Sequence, residues 1–164
     1  MDISERAVKD FFTDNHLSYE QVQVGKLVQY KRANIGKDVE MWQGDFYECS
    51  SNNIGMFDAV WDRGGLGSVA VNDRQRYVDL ILSILEPKGA VLMHTFEYNQ
   101  EERLAVPFSI SGQTLQKHWG HACSLQLMET IDELKRNPYI GERYGFSRYN
   151  ILAHIIQKNW RHGD

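Results

Sequence analysis

Few cysteines, few prolines, no long apolar run and no concentration of basic charge mark this 164-residue sequence. Its 2 cysteines, Cys49 and Cys123, stand far apart and form no Cys-x-x-Cys pair, which excludes a disulfide framework and points to a reducing compartment. No apolar stretch approaches the roughly 18 residues a membrane helix needs. The opening MDISERAVKDFF carries charges where a signal peptide needs an apolar core. With a net charge of -4, a pI near 5.9 and no basic run longer than pairs such as Lys31-Arg32, the chain lacks the clustered cations that nucleic-acid phosphates require. The expectation is a cytoplasmic single domain over residues 1–164, with neither membrane nor nucleic acid as partner. Its length lets it bury about two-thirds of its unfolded surface.

Against those absences, several segments have clear local character. Ser4 is a plausible N-cap for a helix carrying Ala7, Val8, Phe11 and Phe12 at helical spacing and ending near Asn15-His16. Residues 25–33 read as a strand, 34–38 as a turn and 39–43 as a second strand. Residues 49–55 look loop-like, and 56–61 read as a short apolar strand buried on both faces. Asn72 can cap a helix whose face is Tyr77, Val78, Ile81, Leu82 and Leu85, stopped by Pro87-Lys88-Gly89. Residues 90–95 form another continuous apolar strand. Ser111 can cap a short helix to Trp119, and strands follow at 124–128 and 147–157. Strand and helix alternating over short connections predict an α/β chain with an open, twisted, mostly parallel sheet, its last two strands pairing antiparallel.

Ligands of such sheets bind outside the carboxyl ends of the strands, so the residues just past each strand are the candidates. Gly44-Asp45-Phe46 follows one strand, Asp62-Arg63-Gly64-Gly65 another, and Phe96-Glu97-Tyr98 a third, while Asp2 directly precedes the first helix. A carboxylate before a helix can take two ribose hydroxyls, although the helix dipole also favours an acid there for purely structural reasons. A carboxylate followed by phenylalanine can accept from an adenine amino group while the ring covers the base, and Gly44 would permit close backbone approach. Other chemistries lack their residues. Gly64, Gly65 and Gly67 do not make a phosphate loop, and no Gly-x-Gly-x-x-Gly or Gly-x-Ser-x-Gly occurs. His118 and His121 have no further ligands in their motif and read as an ordinary surface pair, so no metal is expected. Trp42, Trp61 and Trp119 read as core or pocket wall.

The order Asp-Ile-Ser before a helix, then FFTDNHLSYE, Gly-Asp-Phe, NNIGMFDAVWDRGGL, VPFSIS and RYNILAHII resembles the thiopurine S-methyltransferase family along essentially the whole chain. FDAVWDRGGL is the most specific element. The resemblance implies a Rossmann-like, class I methyltransferase that passes the methyl of S-adenosylmethionine to a small-molecule acceptor, an aromatic or heterocyclic thiol. By that resemblance Asp2 holds the ribose with Ile3 beside it. Asp45 and Phe46 contact adenine, although some members carry a small hydroxyl residue in place of Asp45. Arg63 stands at the methyl-transfer site, touching both donor and acceptor, and Phe108 lies in the acceptor-pocket segment. An arginine there makes sense beside a thiolate, because a guanidinium steadies an anion without competing for its proton. The resemblance also implies a first strand and glycine-rich turn upstream of Met1. A full-length form would then be monomeric, and residues 1–164 alone would self-associate and bind the methyl donor weakly. A non-catalytic remnant acting through protein interfaces is the alternative reading.

Overall fold

The computed structural model describes residues 1–32 and 39–159, which cluster into two compact units, residues 1–55 and 56–164. The turn expected at 34–38 lies outside the described residues.

The first unit is a helix on a small sheet. Helix α1 (Glu5–Asp14) starts where the sequence says it should, the Ser4 side chain accepting from the Ala7 N–H at 3.3 Å. Val8 and Phe12, four residues apart and so on one face, are fully buried against Tyr30, with Phe11, Leu17, Tyr19, Val28 and Met41 packed around them. Strands β1 (Tyr19–Val24), β2 (Leu27–Arg32) and β3 (Glu40–Gln43) pair antiparallel in sequence order. The β1–β2 hairpin turns at Gly25, where φ is 61°. Strand β1 was not expected; its YEQVQV is polar and largely exposed, so no apolar periodicity announces it. The loop expected at 49–55 contains a single helical turn, α2 (Ser51–Ile54), closed by a capping box between Ser50 and Asn53.

The second unit is a four-stranded sheet in the order β4-β5-β7-β6 with helices attached. Strand β4 (Phe57–Arg63) runs parallel to β5 (Leu85–Tyr98), and α3 (Arg74–Ile84) connects them. Helix α4 (Gly112–Trp119) is capped by Ser111, whose Oγ accepts from the Thr114 N–H at 3.2 Å. It leads to β6 (Cys123–Asp132), then α5 (Glu133–Arg136), α6 (Pro138–Tyr144) and β7 (Tyr149–Lys158). The core joins Val91 and Met93 of β5, Ile156 of β7, Val78 of α3, and Leu115 and Trp119 of α4, all fully buried.

Three expectations are corrected here. The sheet is not mostly parallel: β4–β5 is its only parallel pair among the described residues. Strand β7 enters between β5 and β6 and is antiparallel to both, because the short α5–α6 connection turns the chain straight back alongside β6. Nor is β4 buried on both faces. Among the described residues it has a neighbour on one side only, and Trp61 and Phe57 are 67% and 39% exposed. Trp61 is therefore not a core residue, while Trp42 and Trp119 are buried. Third, the helix face ends at Ile84; Leu85 already belongs to β5, and the Pro87-Lys88-Gly89 stop is an irregularity inside that strand, with φ 69° at Lys88.

Candidate functional site

In the first unit the residues expected at the adenosyl end meet at one strand end. The Asp2 N–H donates to the Trp42 carbonyl at 2.9 Å, and the Gly44 N–H donates to the Asp2 carbonyl at 3.0 Å, so residue 2 lies parallel beside β3. Asp2 Oδ1 accepts from the Ser4 N–H at 2.8 Å, and Asp45 Oδ1 accepts from the Tyr47 N–H at 2.9 Å. Each exposed carboxylate thus spends one oxygen holding a local turn. Its other oxygen has no protein donor among the described residues, and an accepting oxygen of that kind is what ribose hydroxyls or an adenine amino group need. Phe46, half-buried, sits beside Asp45 in a 3-10 turn, and Ile3 is 76% exposed. These accepting oxygens fit the hydroxyl and amino donors of the adenosine part of S-adenosylmethionine. Gly44 also has a reason within the fold: at φ 143° an added Cβ would lie 2.6 Å from Leu27 Cδ2.

In the second unit the charged pair ending β4 divides sharply, as alternation along a strand requires. Asp62 is 6% exposed. Its carboxylate accepts from the Gly65 N–H at 2.6 Å, the Leu66 N–H at 3.3 Å and the Tyr77 hydroxyl at 3.0 Å, closing the turn after the strand. Burial pushes its carboxyl above the usual value, and those three hydrogen bonds oppose the shift. Arg63 points the other way, is exposed, and forms no ion pair with Asp62. The glycines that follow do not leave open space. An added Cβ at Gly65 would strike the Tyr77 hydroxyl and Asp62 Oδ1, and one at Gly64 would stand 3.0 Å from the Phe96 ring. Gly65 lets the Asp62 turn close, and Gly64 lets the Phe96 ring pack against the strand end.

Phe108 lies in the expected segment, but its ring faces the Arg74 guanidinium, 5.9 Å away. Its neighbour Pro107 is the one that borders a cavity of about 190 Å³. The sequence reading missed this cavity. Tyr98, Phe146 and Tyr149 form one wall, with ring centroids 4.8–5.6 Å apart. Arg103, Ile140 and Tyr144 complete it. Burial raises the Tyr149 phenol to about 12. The clustering of rings at 96–98 and 144–149 was the only signal available. His118 is buried rather than at the surface, its Nδ1 3.0 Å from Gln75 Oε1, and neither it nor His121 belongs to a metal-binding group among the described residues. No helix there is long and apolar enough to cross a membrane.

Comparison with known proteins points to one family. The family model for thiopurine S-methyltransferase (TPMT) matches residues 1–152, crossing both units. Thiopurine S-methyltransferase of Bos taurus is 31% identical over 134 residues, covering 80% of this chain and 54% of that protein. The Mus spretus protein of the same name is 30% identical over 156 residues, covering 93% and 65%. The one from Nitrosospira multiformis is 30% identical over 148 residues, covering 90% and 65%. The chain thus spans between about half and two thirds of the length of these relatives. With its matched region holding Asp2, Gly44-Asp45-Phe46, Asp62-Arg63 and Pro107-Phe108 alike, the chain belongs to the thiopurine S-methyltransferase family.

Proposed function

We propose that this chain carries the adenosine-binding and acceptor-facing parts of an S-adenosylmethionine-dependent S-methyltransferase, residues 1–164 belonging to one class I domain. The family match carries the reading, and the separation of Asp62 from Arg63 supports it: Asp62 binds into the turn, and Arg63 is left for a ligand. In the reaction a thiol loses its proton to solvent, and the thiolate attacks the sulfonium methyl. The new S–C bond forms in line as the old one breaks, and S-adenosylhomocysteine leaves. Positioning supplies most of such a rate, and Arg63 steadies the thiolate. Asp2, with Ile3 alongside, takes the ribose hydroxyls. Asp45 and Phe46 hold adenine, and Phe108 supports the acceptor segment.

Titration calorimetry with S-adenosylhomocysteine tests the donor end. Asp45→Ala is expected to weaken binding by about 1–3 kcal/mol, the cost of an unmet hydrogen bond. Equal affinities would remove Asp45 from the site. For the chemistry, Arg63→Ala in a form extended upstream is expected to slow methylation of an aryl thiol at unchanged fold stability. Exposed Trp61 and Phe57 on a one-sided strand favour a second reading for the chain as given, self-association through β4. Trp61→Lys should then shift its sedimentation toward monomer.

A further inference from the structure

We propose that the buried Arg74 guanidinium is a binding site for a small monocarboxylate, seated beside the Phe108 ring and apart from the aromatic cavity. The inference does not depend on the methyltransferase reading. Burial comes first. Arg74, the first residue of α3, is 6% exposed, and its Nε–H is buried without an acceptor. Among the described residues it forms no ion pair with any carboxylate. An arginine cannot shed its proton to escape such a site, and a buried charge without a counter-charge is costly. An anion taken from solution removes that cost.

The neighbouring acceptors are engaged elsewhere. Helix side chains lean toward the N-terminus, so Arg74 faces back over the 64–70 turn. There the carbonyls of Gly65, Leu66 and Ala70 accept from the Ser68, Val69 and Asp73 N–H groups, and the Gly67 carbonyl accepts from the Phe108 N–H at 2.6 Å. Gln75, the next residue, places its Oε1 3.0 Å from His118 Nδ1 and donates from Nε2 to Asp79 Oδ1 at 2.8 Å. Asp73 at the N-cap is exposed and gives α3 no side-chain cap, so the positive end of the helix adds to the field at Arg74. Burial first, then Lys117 and Arg74, push the His118 imidazole below its ordinary value, and Asp79 opposes them. The local field favours an anion.

Geometry selects the class of anion. The Nε–H and the adjacent Nη–H form one edge with two parallel donors, which the two oxygens of a carboxylate match. One guanidinium balances one negative charge. The Phe108 ring lies 5.9 Å from the guanidinium carbon, its backbone pinned to Gly67, so the narrow opening suits a small flat anion over a tetrahedral dianion. Arg74 is not among the residues that border the aromatic cavity.

Proton–nitrogen correlation NMR of the arginine Nε–H groups in the full chain tests this, with chloride exchanged for acetate at constant ionic strength. The Arg74 resonance, assigned by its loss in Arg74→Lys, should shift and saturate, with half-saturation at about 1–10 mM acetate. Exchanging chloride for bromide should leave it in place, and phosphate should bind at least about tenfold more weakly than acetate. Thermal unfolding is the second readout: acetate in place of chloride should raise the midpoint of the parent and leave that of Arg74→Met unchanged. An Arg74 resonance that acetate does not move, a saturable shift with bromide, phosphate binding as tight as acetate, or equal acetate stabilisation of a folded Arg74→Met protein would each overturn the proposal.

Discussion

Strands β4 and β5 lie side by side in one sheet, run in the same direction and are built from similar apolar residues, yet they live in different surroundings. β5 has β4 on one side and β7 on the other, and Val91 and Met93 are fully buried. Among the described residues β4 has only β5, and Trp61, its largest side chain, is 67% exposed. Composition makes both of them strands. The number of neighbours and the presence of a covering layer decide what burial each achieves, and hydrophobic stabilisation follows the area removed from water, not the residue type.

The largest expected effect tests that contrast directly. Met93→Ala should lose about 2–5 kcal/mol, the usual range for an emptied core site, whereas Trp61→Ala should change stability by no more than about 0.5 kcal/mol. Urea unfolding followed at several protein concentrations reads both. A large, concentration-dependent cost at Trp61 would instead mean that another chain covers β4 in solution.

A finer version compares the two adjacent charges at the end of β4. Tyr77→Phe removes a hydrogen bond to the buried Asp62 carboxylate and should cost about 1.5–3 kcal/mol, while Arg63→Ala should leave the unfolding midpoint nearly unchanged. Comparable losses at both positions would make Arg63 part of the turn.

The smallest effect is a pH dependence. Burial raises the Asp62 carboxyl above its ordinary 3.8, so the unfolded chain releases this proton more readily than the folded one. Its contribution to stability is therefore fully present below 3.8 and is lost as pH rises through the folded value. Compared with non-titrating Asp62→Asn, the parent should lose relative stability from 3.8 upward and then level off. A difference that stays flat across that window would show that the hydrogen bonds from Gly65, Leu66 and Tyr77 fully offset the desolvation.

Legibility in the sequence followed the range of each interaction. The caps at Ser4 and Ser111 were readable because a cap is settled within three or four residues. Asp2 and Asp45 were readable as candidates because both stand at the ends of segments with clear character, and the Asp2–Gln43 bridge places them at one strand end. The purpose of Gly44, Gly64 and Gly65 was not readable. Each glycine answers to a side chain it meets only after folding: Leu27, Phe96 and the Asp62–Tyr77 pair. Arg103 gave no signal either, since nothing in QEERLAV indicates that Tyr98, Tyr144 and Tyr149 will gather around it.

By itself the sequence determined the α/β class, both well-capped helices, the family and the short set of strand-end residues, all of which rest on local propensity or on motif. Tertiary structure alone decided that β7 enters between β5 and β6, that β4 stands at the edge of the sheet among the described residues, that Asp62 is consumed by its turn while Arg63 is not, and that four aromatic rings and one arginine border one cavity. The physical reason is that pairing partners and covering layers come from distant segments, whose choice depends on the closure of the whole chain and leaves no mark on the residues nearby.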